Sequence, residues 1–270
     1  MAHGAPVLAA DGPAEGYRTR RVVRLASTAA LGGFLFGFDS AVINGANTAI
    51  AETFNLGSGL MAFVVSIALI GSAVGAWFAG QLADAFGRRR VMLIAAVLFG
   101  ISAVGTAFPP NVEILMVWRL IGGAGIGVAS VVAPMYIAEI SPAQLRGRMG
   151  SLQQLAIVLG ILATGISNYV IVSLAGSSTS DWLLGIEAWR WMFLVMLIPA
   201  TIYFLMALRI PESPRFLVER GKLDEARAVL ESVFTSDQSA KVLEIQTSME
   251  GANRSSLSDL RGPRFGLMPI

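Results

Sequence analysis

Six apolar stretches divide this chain, at about residues 25–46, 60–83, 91–109, 112–138, 149–174 and 188–208, and its arginine clusters fall between or beyond them. Each stretch reaches the length of about 20 residues that carries a helix across a bilayer core. In hydrocarbon every backbone N–H and C=O must be bonded internally, so stretches of this kind fold as helices and pack as a bundle. None of them alternates as a barrel strand would. Hydrophobic residues make up 54% of the 270 positions and charged residues 14%, against roughly 25% charged in an average soluble domain. The expected fold class is an all-α membrane protein, a six-helix transmembrane bundle with short cytoplasmic helices attached.

The arginines set the orientation. Arg18, Arg20, Arg21 and Arg24 precede the first stretch, Arg88, Arg89 and Arg90 fill the second connection, and Arg146 and Arg148 fill the fourth. The first, third and fifth connections carry no Lys or Arg, which places both chain ends in the cytoplasm by the positive-inside rule. Trp182, Trp189 and Trp191 gather near the outer end of the sixth stretch, where an interfacial aromatic belt belongs. The net charge of +2 therefore expresses topology and gives no sign of a nucleic-acid partner. A cleaved signal peptide does not fit the first stretch, which is too long, too rich in glycine and interrupted by Asp39. The chain has no cysteine, and its one histidine, His3, lies in the N-terminal tail. No metal site, cofactor or enzyme-like set of nucleophile and base is expected.

Residues 1–21 read as a cytoplasmic tail, 22–210 as the six-span bundle, 211–264 as a cytoplasmic helical linker, and 265–270 as the start of a further span. Six spans divide into three plus three, a unit that many transporters repeat in inverted orientation. In the linker, Ser213 and Pro214 form an N-cap and first-turn proline and Gly221 a stop, which predicts a short helix over PRFLVER. Leu223, Ala226, Val229, Leu230 and Val233 then fall at helical spacing. Val242, Ile245 and Met249 give a weaker third pattern. Pro134 and Pro199 are expected to kink their helices, and Asn253 begins a glycosylation sequon of no consequence on a cytoplasmic segment.

Asp39 and Arg119 are the ionisable residues deep inside the apolar stretches, where a charge is expensive unless paired or wet and reads first as a functional site. Helix rise puts Asp39 roughly 22 Å above Arg24 and Arg119 roughly 10 Å below the outer surface. In a core about 30 Å thick the two meet at one level, so a pair between the first and fourth spans is expected. Burial and the guanidinium act on the carboxyl in opposite senses, and protonating Asp39 would release Arg119. A static bridge that fixes helix register is the competing reading. Gln153, Gln154 and Asn168 in the fifth span are amides able to donate and accept together, suited either to a polyhydroxylated ligand in a wet cavity or to bonds between helices. Glycines in spans one, two and four let helices approach closely. GAGIG lacks the third glycine, the preceding strand and the following acid of a nucleotide-binding turn.

Three motifs carry a resemblance: GQLADAFGRRR after span two, PMYIAEISPAQLRGRMG after span four and PESPRFLVERGKLDEARAVL after span six. In that order the chain resembles the sugar porter family of the major facilitator superfamily from about residue 24 to its end. The resemblance implies a twelve-span transporter of two bundles, with a central sugar site and alternating access, of which this chain matches the first bundle and the linker. It implies that Asp39 is the proton-coupling aspartate of bacterial sugar symporters and Arg119 its partner, facilitative members commonly carrying a neutral residue in place of Asp39. Gln154, with Gln153 beside it, would bind sugar, and Phe36 and Ile161 would line the cavity. Asp84, Arg88, Arg89, Glu139, Arg146, Glu212 and Arg215 would latch the cytoplasmic gate. The expected function is that of the N-terminal half of a proton-coupled sugar symporter in the cell membrane, with sugar, proton and lipid bilayer as partners and a C-terminal six-span bundle required for transport. A facilitative uniporter half and a non-transporting membrane scaffold are the alternatives.

Overall fold

A computed structural model describes residues 16–235 together with 239, 242, 243 and 245–247. Most of the N-terminal tail, Met249, Asn253 and the segment 265–270 lie outside the described residues. Within them the chain forms α1 (Thr19–Thr53), α2 (Ser58–Phe86), α3 (Arg88–Ala107), α4 (Val112–Ile140), α5 (Ala143–Ala175), α6 (Ala188–Leu194), α7 (Leu197–Ala207), α8 (Pro214–Glu219) and α9 (Leu223–Val233). Taking α6 and α7 as one crossing, six helices are long and apolar enough to span a membrane.

The sixth span is not one uninterrupted helix. Pro199 has no N–H to offer the carbonyl of Val195, which accepts instead from Ile198 N at 3.1 Å. The chain tightens there and α7 begins anew. Pro134, by contrast, leaves α4 unbroken. Pro134 is half-buried, on a helix that packs against both α2 and α3.

Two helix pairs form the frame, α1 with α5 and α2 with α4, joined through α1 and α4. Exchanging the first three spans with the last three maps one pair onto the other, and maps α3 against α4 onto the α6–α7 span against α1. This is the three-plus-three arrangement expected from the sequence. Glycine makes both pairs possible. A Cβ on Gly37 would run into the main chain of Ile157, and one on Gly127 into the carbonyl of Ser72, so at these points backbone meets backbone as small residues permit in membrane helices.

The outside of the bundle is apolar over much of α2 and α5. Trp77 is 76% and Tyr169 74% exposed, with Leu69, Val74, Val158 and Leu162 also open. A patch of this extent requires an apolar neighbour, either lipid or protein.

At the arginine end, α8 and α9 fold back on the bundle. Gly221, at φ +72°, ends α8 with Lys222 N on Leu217 O at 2.9 Å and Gly221 N on Val218 O at 2.9 Å, the paired bonds of a Schellman stop. Ala226, Leu230 and Val233 of the predicted stripe are buried, whereas Leu223 is exposed. Ser213 stands at the N-cap position of α8, but its hydroxyl does not cap the helix; it donates to Glu139, a charged acceptor that outcompetes the neutral backbone role. Residues 16–18 complete this end, with Arg18 N on Val233 O at 2.7 Å and Thr235 N on Gly16 O at 2.9 Å.

Candidate functional site

Where α1 crosses α4, an ion pair joins the two spans. Arg119 Nη1 donates to Asp39 Oδ1 at 3.3 Å, and the two side chains are 2% and 1% exposed. The pair is under-bonded: Asp39 Oδ2 and Arg119 Nε are buried without a hydrogen-bond partner. A carboxylate with about four acceptor positions and a guanidinium with five donors thus share a single contact. Breaking a buried pair by removing one partner costs about 3–5 kcal/mol, so this contact links α1 and α4 firmly while leaving the carboxyl able to take up another partner.

Ser102 of α3 is the third polar group at this point. Its hydroxyl donates to Trp118 O at 2.9 Å, fixing the turn of α4 that carries Arg119. Its oxygen and Asp39 Oδ2 both lie beside the point where a Cβ of Gly122 would stand. The sequence reading missed Ser102, and the available signal was a hydroxyl residue in the middle of an otherwise apolar span.

The amides of α5 separate. Gln154 is exposed, on the same helical face as Ile161, which is 48% exposed. Phe36 is half-buried on α1, and Gly37 beside it lies against the main chain of Ile157 and Ile161, so Phe36 and Ile161 flank one seam. Gln153 is turned into the α1–α5 contact against Gly33, with both amide atoms unpartnered. Asn168 is buried in the same contact and donates to Val42 O at 3.3 Å. Gln154, Ile161 and Phe36 therefore border open space, while Gln153 and Asn168 lie between helices.

At the arginine end five of the seven expected gate residues come together. Arg88, 4% exposed, bonds Asp84 at 3.1 Å and Glu139 at 3.0 Å and donates to Ala83 O at 3.2 Å. Glu139 also accepts from Ser213 Oγ. Glu212 accepts from the backbone N–H of Arg89 at 3.1 Å and of Ser213 at 2.9 Å, serving the start of α3, where unpaired N–H groups favour an anion. Gly87, at φ +92°, turns the chain between α2 and α3 and leaves room for this carboxylate. Arg89 donates to Ala207 O at 3.2 Å and Leu208 O at 2.6 Å. Arg146 and Arg215 are exposed and outside this cluster. Arg220, not singled out from the sequence, donates to Asp84 O and Ala85 O at the end of α2. Tyr136 Oη donates to Pro211 O at 2.9 Å.

A six-helix inverted-repeat bundle with a buried charge pair between α1 and α4 and a charged cluster at one end has the architecture of part of a major facilitator transporter. Residues 25–264 match the model of the family described as "Sugar (and other) transporter", and the chain belongs to that family. It is 50% identical to a glucose transport protein of Synechocystis sp., over 92% of this chain and 53% of that one. It is 37% identical to the D-xylose-proton symporter of Escherichia coli (strain K12), over 87% of this chain and 52% of that one. Among solved structures, the major facilitator proton:xylose symporter XylE bound to 6-bromo-6-deoxy-D-glucose superposes with a TM-score of 0.83 at 34% identity, covering 91% of this chain and 56% of that one. The chain spans about half the length of the curated relatives it matches.

Proposed function

We propose that these six spans work as one of two bundles of a proton-coupled sugar symporter in the cell membrane, with the arginine end in the cytoplasm. The buried, under-bonded pair of Asp39 and Arg119 carries this reading. Joined, the pair holds α1 to α4; when Asp39 takes up a proton, Arg119 loses its counter-charge and the two helices are free to repack. Gln154, at the open face of α5, hydrogen-bonds the sugar, with Phe36 and Ile161 as apolar walls and Gln153 behind them as a support that fixes the α1–α5 contact. Asp84, Arg88, Arg89, Glu139 and Glu212 latch the inner gate, and Arg146 and Arg215 belong to the same gate in its other position. The relatives' activities, glucose transport and xylose–proton symport, support a sugar and a proton as the two substrates.

One bundle presents one wall of a path. Alternating access requires a second six-span bundle against the open apolar faces of α2 and α5. In membrane vesicles, the 270-residue chain alone is expected to accumulate no sugar, and accumulation by it would overturn the two-bundle requirement. In a transporter assembled from this bundle and its second bundle, Asp39→Asn is expected to abolish proton-driven accumulation while sugar exchange continues. Retained accumulation would make the pair a static bridge, and a parent that exchanges but never accumulates would make it a uniporter.

A further inference from the structure

Hydroxyls inside membrane helices ordinarily bond back to the carbonyl one turn earlier, and in this bundle Thr28, Ser40, Ser66, Ser151 and Thr164 do so, at 2.7 to 3.1 Å. Two hydroxyls of α3 do not. Ser102 Oγ crosses to Trp118 O on α4, and Thr106 Oγ1 has no partner although Thr106 is 0% exposed. An unbonded hydroxyl in a dry interior is costly and calls for a function or a visiting water.

Their positions form a line. Thr106 is the penultimate residue of α3, whose end at Ala107 lies at the tryptophan end of the bundle, the outer face in the orientation proposed above. Ser102 stands one turn deeper on the same buried stripe. The point where a Cβ of Gly122 would stand has Ser102 Oγ as its nearest neighbour and Asp39 Oδ2 3.6 Å away. Asp39 Oδ2 is itself unpartnered. An unbonded hydroxyl at the surface end and an unbonded carboxylate oxygen at the deep end thus bracket a third polar group.

We propose that Thr106 and Ser102 form the route by which a proton reaches Asp39 from the outer face. This rests on the symport reading above. A hydronium ion at the mouth gives up a proton and becomes water. Thr106 and Ser102 each accept one proton as they release another, Ser102 turning its hydroxyl from Trp118 O toward Asp39 Oδ2, which ends as a neutral acid. Hydroxyls one turn apart are separated by about 6 Å, a gap that one water bridges with two hydrogen bonds of about 2.8 Å. In the packing described, Thr106 Oγ1 is closed to solvent, so the route is shut and opens when α3 and α4 part at this end. At the mouth, Arg190 Nη1 donates to Ala107 O at 2.7 Å and Nε to Glu187 at 2.7 Å, and Glu113 begins α4. At depth the facing charges are Asp39 and Arg119.

The test is a pH jump on the 270-residue chain in lipid nanodiscs, following the infrared band of a protonated carboxyl that Asp39→Asn removes. Thr106→Val and Ser102→Ala are expected to slow the appearance of the band by about tenfold or more, Thr106→Val with an unchanged equilibrium titration, and Thr106→Ser to restore the rate. A static packing role for these residues would move stability and leave the rate alone. Thr106→Val decides the matter even where Ser102→Ala fails to fold, since valine keeps the shape and the hydroxyl holds no bond. Thr106→Val protonating as fast as the parent would overturn the route alone. A parent with no Asp39 band would overturn the coupling role and the route with it.

Discussion

The two charged regions of this molecule are built on opposite terms. At the α1–α4 crossing, two nearly inaccessible charges share one hydrogen bond of 3.3 Å and leave atoms unpartnered. At the arginine end, Arg88 alone has three acceptors, and Glu139 and Glu212 each hold two donors. Although Arg88 Nε is unpartnered, a network whose members each hold two or three bonds, in partial contact with water, resists change, because each bond is backed by others. An under-bonded pair in a dry place stays at the edge of rearrangement. In the function proposed above, the second serves as the switch and the first as the latch.

The largest effect that would break this contrast is at Arg119. Arg119→Ala leaves the Asp39 carboxylate without its cation, and a loss of about 3–5 kcal/mol is expected, read as unfolding in mixed detergent followed by helical circular dichroism. Adding Asp39→Asn removes the stranded charge and should recover most of that loss. A double variant no more stable than Arg119→Ala would mean that Arg119 acts through packing and that the pair is no switch.

How much of this was legible in advance follows from what each feature depends on. The spans, the α1–α4 pair and the glycine seams depend on local composition and helix rise, so reading Asp39 and Arg119 at one depth was enough to join them. The break before Pro199 was also readable, because proline acts on its own helix. What a hydroxyl or amide bonds to depends on the neighbouring helix. Ser213 read as a helix cap and binds Glu139; Gln153 and Gln154 are adjacent in sequence, yet about 100° of helical rotation sends one into the α1–α5 contact and leaves the other open. Ser102 and Arg220 were passed over for the same reason: their partners, Trp118 and the end of α2, are remote in the chain.

Within the latch, Arg88 should matter most. Arg88→Ala removes both of its carboxylate contacts and its bond to Ala83 O, and leaves Glu139, 10% exposed, with Ser213 alone; a loss of about 2–3 kcal/mol is expected in the same unfolding assay. This is smaller than at Arg119 because Asp84, 61% exposed, reaches water and Glu139 keeps its bond from Ser213. Ser213→Ala should lose less, about 1–2 kcal/mol, as one hydrogen bond to a charged acceptor, and should loosen α8 from the bundle, measured as faster amide exchange in residues 215–219. Equal protection of α8 in the variant would mean that Glu212 and Arg220 hold the linker without it.

The smallest effect is expected at Asp84, and it decides where the latch is centred. Its side chain is 61% exposed and pairs with Arg88 one turn along the same region, an arrangement in which solvent screens most of the attraction. Asp84→Asn should therefore change stability by less than about 1 kcal/mol, and the small difference should shrink further at high salt, since asparagine can still accept from Arg88 and Glu139 remains in place. The Arg119 effect should be insensitive to the same salt, because its charges are shut away from counterions. If Asp84→Asn were as damaging as Arg88→Ala, the latch would be organised around its exposed carboxylate, and its strength would follow the ionic conditions at the membrane surface instead of the packing of α3 and α4.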